Sequence, residues 1–380
     1  MLFIQDEFRW VDRTCSAAEA LGVSVVFTVV NQDVIRKIYR TPYFNTVRFE
    51  QTLTGFVPEG LIGRAVPGYH QRTVDVSYRA RKLPGWCGSF ARQKWQIAER
   101  FAIDCKRLGL KFDYDTTEAG RIYGEKWIEF VSNSKATLGT ESGASFVDYT
   151  GEVYAAIDEF ERANPAATFD EVRDRFLEGR DGQIVIHVIS PRCFEAAALR
   201  TLMILYPGDY SGILEPGRHY VELQHDHSNM DEVVAVLMNP DRAGKIIERA
   251  YTEVAVSGRW SFRTFVQDHF DRVIEETVRP RLKTARADGH AEQIRRAQVV
   301  AKHEEALVGQ RQRMALLLRL LAIRSKVGRM MRLNTAKHHL GRLVRTTLPP
   351  RHADRVISAL GRVRYAAKSV VKSILLPNIK

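Results

Sequence analysis

Ser190-Pro191-Arg192-Cys193-Phe194-Glu195-Ala196-Ala197-Ala198-Leu199-Arg200-Thr201, followed by the apolar run Leu202 to Leu205, decides how this chain is read. Just before it, Ile184-Val185-Ile186-His187-Val188-Ile189 is β-branched and bounded by Gly182 and Pro191, which predicts a short buried strand. The small, helix-favouring residues Glu195 to Leu199 then start a helix with a carboxylate in its first turn. A second strand follows and ends in Tyr206-Pro207-Gly208. Strand, loop, helix, strand is the unit of a parallel α/β sheet, and such sheets bind ligands at the carboxyl ends of their strands. Glu195 is thereby expected at a crevice, where a carboxylate accepts hydrogen bonds from a diol.

The block Arg192-Cys193-Phe194-Glu195-Ala196-Ala197-Ala198 resembles the R-x-F/Y-E-A-x-A block of GT-B glycosyltransferases, in the "glycosyl transferases group 1" branch. The resemblance continues through Tyr210-Ser211-Gly212-Ile213-Leu214, Gly217-Arg218-His219-Tyr220 and Asp226 to Val233, and closes at Ser257 to Phe262. It implies an α/β fold of Rossmann-like GT-B type: a partial N-terminal domain, a complete C-terminal nucleotide-binding domain and a basic helical tail. The expected divisions are 1–70 for the partial acceptor-side domain and 71–279 for the nucleotide-sugar domain, with a helical insertion near 151–181. Residues 280–380 form the tail.

The same resemblance implies roles for single residues. Glu195 holds the donor ribose, and Ser190 and Arg192 lie beside it on the nucleotide. Arg79, Arg81 and Lys94 surround a loop and helix start, where guanidinium forks and backbone N–H groups can reach a diphosphate. Retaining members carry an E-x7-E motif with Glu195 as its second Glu. Glu141, in the small-residue loop Gly139 to Ser145, takes the first role, although the strict spacing falls on His187. Asp6, after the first strand, is the candidate for contact with an acceptor hydroxyl. The implied chemistry is a metal-independent, retaining hexosyl transfer from a UDP- or GDP-linked donor to a glycan or lipid-linked acceptor, with no cofactor. His225 and His227 flank Asp226 in a loop without further ligands at metal-site spacing, so no metal is assigned.

Elsewhere Leu2 to Glu7 and Ser24 to Val29 read as strands, and Asp12 to Leu21, Asn31 to Tyr39 and Ser89 to Leu108 as helices. The first residues lack the basic and apolar regions of a signal peptide, and Cys15, Cys87, Cys105 and Cys193 have no paired spacing. A reduced, cytoplasmic protein is the expectation. Charge is unevenly placed. Residues 306–380 hold 17 Lys plus Arg against Asp354 alone, whereas the remainder carries a net charge of −4. Met314 to Arg324 and Val356 to Leu376 alternate basic and apolar residues as helices do on an anionic membrane, here the inner face of the cell membrane. The same pattern suits a partner-binding helix. A nucleic-acid arm fits less well, since Tyr365 is the tail's one aromatic residue. The alternative function is a non-catalytic sugar-nucleotide-fold protein of cell-surface or spore-coat assembly.

Overall fold

The computed structural model describes residues 1–280 and contains two parallel sheets, formed one after the other along the chain. The first pairs β1 (Leu2–Ile4), β2 (Val25–Thr28) and β3 (Arg48–Gln51) in that order, with α1 (Val11–Ala20) and α2 (Gln32–Ile38) as crossovers. Every residue of the central strand β2 is buried, as expected of a strand covered on both faces. Strand β3 was not anticipated: Arg48-Phe49-Glu50-Gln51 carries one apolar side chain, too little pattern to mark a strand.

The next elements are β4 (Val74–Arg79), α3 (Gly88–Leu108), β5 (Phe112–Asp115), α4 (Glu125–Ser132) and β6 (Ser134–Gly139). A short strand β7 (Ser142–Ala144) leads into the insertion, with α5 (Glu152–Ala163) and α6 (Phe169–Val172) continued by the π-helical turn Arg173–Leu177. Then come β8 (Ile186–Val188), α7 (Pro191–Ala198), β9 (Leu202–Leu205), β10 (Val221–Glu222), α8 (Met230–Leu237), α9 (Pro240–Arg249) and a helical run over 262–278.

The main sheet is wholly parallel, in the order β10-β9-β6-β4-β5. Alternation along β9 explains its unbroken apolar sequence. Leu202 and Ile204 enter the core beneath α3, α8 and α9, whereas Met203 and Leu205 enter the opposite core with Phe194 of α7. Helix α3 buries Ala91, Trp95, Ala98, Phe101 and Cys105, a stripe at three- and four-residue spacing. It stops at Gly109, whose φ of 67° suits the left-handed cap.

Two local expectations are corrected. Strand β8 does not join the parallel sheet. It pairs antiparallel with β7 in a separate two-stranded sheet, with His187 opposite Gly143. The crossover into β9 therefore comes from β6, and the small-residue loop is itself a strand. In addition, α7 begins at Pro191, whose fixed φ and missing N–H suit a first helical position, so Glu195 sits in the second turn. Both amphipathic tail segments, like all residues beyond 280, lie outside the described residues. No described helix is long and apolar enough to cross a membrane.

The N-terminal sheet and the insertion meet at an aromatic cluster. The Arg9 guanidinium lies 5.1 Å from the Trp86 ring, 5.6 Å from Trp10 and 5.8 Å from Tyr154.

Gly143 has φ 153°, and a Cβ there would overlap the Ile186 carbonyl of the paired strand. Gly143→Ala should therefore cost about 2 kcal/mol or more. Thermal unfolding should show a Tm lower by about 4 °C or more. An unchanged Tm would mean that the β7–β8 pairing is not part of the folded protein.

Candidate functional site

The order of the main sheet reverses at β4: β5 pairs on one side of it and β6 on the other. Where neighbouring crossovers diverge like this, the carboxyl ends of the strands leave a crevice. A cavity of about 560 Å³ opens there, lined by Tyr78 and Arg79 of β4, Thr137 to Gly139 of β6, and Met203 and Leu205 of β9. Helix α7 adds its start and α3 adds Lys94. The chain leading into α4 contributes Arg121 and Tyr123, and α4 itself Trp127. Arg79, Arg81, Lys94, Ser190, Arg192 and Glu195 are thus brought together around one cavity.

The cations there differ in how they are balanced. Arg79 Nη2 lies 2.7 Å from Asp113 Oδ1, and its Nη1 donates to the carbonyls of Tyr78 and Asp113 at 3.0 and 3.1 Å. It also lies 4.1 Å from the Phe130 ring, so much of its bonding capacity serves the β4–β5 edge. Arg81 is exposed, 3.7 Å from Glu118. Arg192 donates to the Arg79 carbonyl and lies over Trp127 at 5.1 Å. Lys94 has no hydrogen bond or ion pair among the described residues. Burial pushes its ammonium pKa down to about 8, and Arg192 and Arg81 push the same way against Cys87 and Asp6. Lys94 is thus a half-buried cation with cationic neighbours and no counter-ion among the described residues, a charge pattern that suits an anion.

At the other side of the cavity the Trp127 indole N–H donates to Glu195 Oε2 at 2.8 Å. Burial raises the Glu195 pKa, and the Trp127 bond and Arg192 oppose the shift. Glu195 Oε1 makes no hydrogen bond within the described residues, so it is left to accept from a ligand. Trp127, Tyr123 and Arg121 were not singled out from sequence as site residues. The one signal was the aromatic spacing of Tyr123 and Trp127 ahead of a helix.

Glu141 and Asp6 are placed elsewhere. The Glu141 carboxylate is buried and does not line the cavity, although its neighbours Thr140 and Ser142 do. Its Oε1 accepts the Tyr210 N–H at 2.8 Å and lies 3.2 Å from His187 Nδ1. The hydrogen bond to Glu141 raises the His187 pKa, and His187 Nε2 meets the Asn31 side chain at 3.1 Å. Both residues that compete for the first E-x7-E position therefore meet in one hydrogen-bonded chain. Asp6 is exposed and paired with Arg9 at 3.2 Å, and its charge reaches Lys94. Its neighbour Glu7 turns inward to the hydroxyls of Thr28 and Tyr39, and burial raises its pKa to about 7.

The amides at the start of α3, expected to face a diphosphate, already have an anion. Ser89 N–H donates to both Asp181 carboxylate oxygens at 3.1 Å, and Phe90 N–H donates to Ser145 Oγ at 3.0 Å. The insertion supplies its own carboxylate to the positive end of the helix.

No protein-family model matches the chain, and no curated protein matches it. Solved structures similar to it include TarM, at 11% identity and a TM-score of 0.36, covering 68% of this chain and 45% of that one. A mutant of S. aureus TarM in complex with Fondaparinux, alpha-GlcNAc-glycerol and UDP is 12% identical, with a TM-score of 0.37 and the same coverage. An alpha-glucosyltransferase in complex with UDP-glucose and DNA containing an abasic site is 8% identical, with a TM-score of 0.42 over 72% of this chain and 71% of that one. The chain spans about 45% of the length of TarM.

Because the folded pKa of Lys94 lies below its ordinary 10.5, its buried charge costs stability below about pH 8. That cost disappears as pH rises from about 8 towards 10.5, so the unliganded fold gains stability over this window. Anion affinity moves the other way. UDP should bind about tenfold more weakly at pH 9 than at pH 7, since about a tenth of the ammonium then remains charged. Calorimetric titration of wild type and Lys94→Met checks this: the variant should bind weakly at both pH values and unfold at higher temperature without ligand. A pH-independent wild type would remove Lys94 from the anion site.

Proposed function

We propose that this chain is a hexosyltransferase-like glycosyltransferase that moves a sugar from a UDP- or GDP-linked donor to a glycan or lipid-linked acceptor. One observation carries the reading: Lys94, Arg192 and Arg81 share the switch-point cavity with Glu195, whose Oε1 makes no hydrogen bond among the described residues. That is the charge pattern of a nucleoside diphosphate, anionic at one end and diol-bearing at the other.

In this reading Glu195 accepts from the ribose, oriented by the Trp127 N–H, and Tyr123 and Trp127 offer faces for the base. Lys94, Arg192 and Arg81, with Arg79 behind them, bind the diphosphate, and Ser190 supports it at the start of α7. As the bond between the anomeric carbon and the phosphate oxygen breaks, negative charge grows on the leaving diphosphate, where these cations already stand. The acceptor hydroxyl oxygen forms the new bond to the anomeric carbon and passes its proton to the departing diphosphate oxygen, and Asp6 contacts that hydroxyl from the N-terminal side. Glu141 acts through others: it fixes Tyr210 and His187 behind the Ser142 wall of the cavity. Charge balance at the leaving group comes from side chains, in keeping with metal-independent transfer.

A second reading is favoured by the inward turn of Glu141, which leaves the sugar end of the cavity without that carboxylate. In it the chain binds a sugar nucleotide without turning it over, as part of a surface assembly. Glu195→Ala should weaken UDP about 30- to 100-fold, the loss of about 2 to 3 kcal/mol of charge-assisted hydrogen bonding. Donor hydrolysis without acceptor, followed by release of UDP from UDP-glucose or GDP from GDP-mannose, then separates the readings. Slow release abolished by Lys94→Ala supports the enzyme. Tight binding with no release supports the binding protein, and no nucleotide binding removes both.

We also infer from composition that residues 306–380 hold the chain on anionic membranes at the cytoplasmic face. Full-length protein should co-sediment with vesicles containing phosphatidylserine and fade from them as salt rises, whereas a chain ending at Arg313 should stay in solution. Equal partitioning of the two would favour a partner-binding tail.

A further inference from the structure

A second cavity, of about 660 Å³, lies on the other flank of α3. The helix lines it with Gln93, Gln96, Glu99 and Arg100, and Tyr206 and His225 close it from loops beyond the carboxyl ends of β9 and β10. Its charges are already satisfied. Glu99 Oε1 is 2.7 Å from Lys82 Nζ, and Arg100 donates to the His225 carbonyl and hydrogen-bonds the Tyr206 hydroxyl. A phosphate or carboxylate ligand would find no unpaired cation here, in contrast to Lys94 in the first cavity.

What remains open is neutral hydrogen-bonding capacity. The Gln93 and Gln96 amides, three residues apart on one helix face, have no hydrogen-bond partner among the described residues. Each presents a donor and an acceptor together. The Tyr206 hydroxyl is held from behind: it lies 2.9 Å from His227 Nε2, while His227 Nδ1 lies 2.7 Å from Asp104 Oδ2. With the ring proton on Nδ1 facing Asp104, Nε2 accepts the Tyr206 O–H; Arg100 fills one phenolic lone pair, and the other is left to accept from a ligand. Phe90 and the Tyr206 ring add apolar faces. Paired amides, a fixed hydroxyl acceptor, flat aromatic faces and no spare charge match a polyhydroxylated ring with one C–H face. An apolar ligand would leave the amides unpaired.

We propose that this second cavity binds an uncharged sugar unit of the acceptor glycan, an assignment of the acceptor that rests on the glycosyl-transfer reading above. Gln93 and Lys94 are consecutive on α3, and Leu205 and Tyr206 are consecutive at the end of β9, so the two cavities are lined by neighbouring residues of the same elements. The glycan then approaches across α3, beside the donor phosphates, from the nucleotide-binding half of the chain.

The test is a crossed pair of variants of the full chain, read by saturation-transfer NMR and calorimetry. The probes are maltotriose, cellotriose and chitotriose as neutral sugars, glucose 6-phosphate as the charged control, and UDP for the first cavity. At least one neutral trisaccharide should bind, with glucose 6-phosphate weaker than that sugar. The double variant Gln93→Ala/Gln96→Ala should lose that binding by about tenfold or more while keeping UDP affinity, which also reports that it is folded. Lys94→Ala should do the reverse. Trisaccharide binding unchanged in the double variant, or absent from a wild type that still binds UDP, would overturn the proposal. Trisaccharide binding lost in the double variant, in a protein that never binds UDP, would keep the sugar site and overturn the donor reading instead.

Discussion

Glu141 Oε1 takes the Tyr210 N–H and faces His187, whose ring reaches Asn31. A carboxylate is buried at acceptable cost only where such partners replace water. These partners belong to distant segments. Glu141 follows β6, Tyr210 lies in the loop after β9, His187 stands on β8 and Asn31 precedes α2. One oxygen thus ties the main sheet, the antiparallel pair and the N-terminal sheet. The surrounding backbone is shaped to admit it, since a Cβ on Gly208 would stand 2.8 Å from Glu141 Oε2. Thr140 and Ser142, which wall the first cavity, take their positions from this buried anchor.

The cavity holds cations that are balanced to different degrees. Arg79 is committed to Asp113, the β4–β5 edge and the Phe130 ring, and its removal would disturb the sheet before any ligand. Lys94 has no hydrogen bond or ion pair among the described residues, and the fold tolerates it at a cost. Such an unbalanced charge is selected against by stability alone, which makes it a better marker of a binding site than any salt bridge. Arg192 stands between these extremes, tethered to the Arg79 carbonyl while its guanidinium rests on Trp127.

Local pattern carried much of the architecture. The unbroken apolar run Leu202 to Leu205 read as a strand and Ser89 to Leu108 as a helix, and both are found there. Arg79, Arg81, Lys94, Ser190, Arg192 and Glu195, which line the cavity, were legible because strand ends and helix starts can be placed from sequence. What failed was partner choice. Ile186–Val188 has the composition of a parallel core strand, yet it pairs with Ser142–Ala144, whose small residues carry almost no strand signal. The inward turn of Glu141 was hidden for a related reason. A carboxylate between small residues reads as open to ligand, and only the folded chain brings Tyr210 and His187 to it. Trp127 was overlooked because an aromatic residue on a short amphipathic helix reads as core. Here its ring edge carries the N–H that orients Glu195.

Asp181 gives the insertion a role that its own small core does not suggest. Its carboxylate occupies the amides at the start of α3 and is held by the Ser145 hydroxyl at 2.6 Å. Many α/β proteins leave that place vacant for a phosphate. Here it is filled from within: the Ser89 and Phe90 amides are spent on Asp181 and Ser145, so the positive end of α3 is neutralised by the insertion's own carboxylate. The segment 151–181 is thereby fastened to the main-sheet region by charge at a helix terminus as well as by its small apolar core.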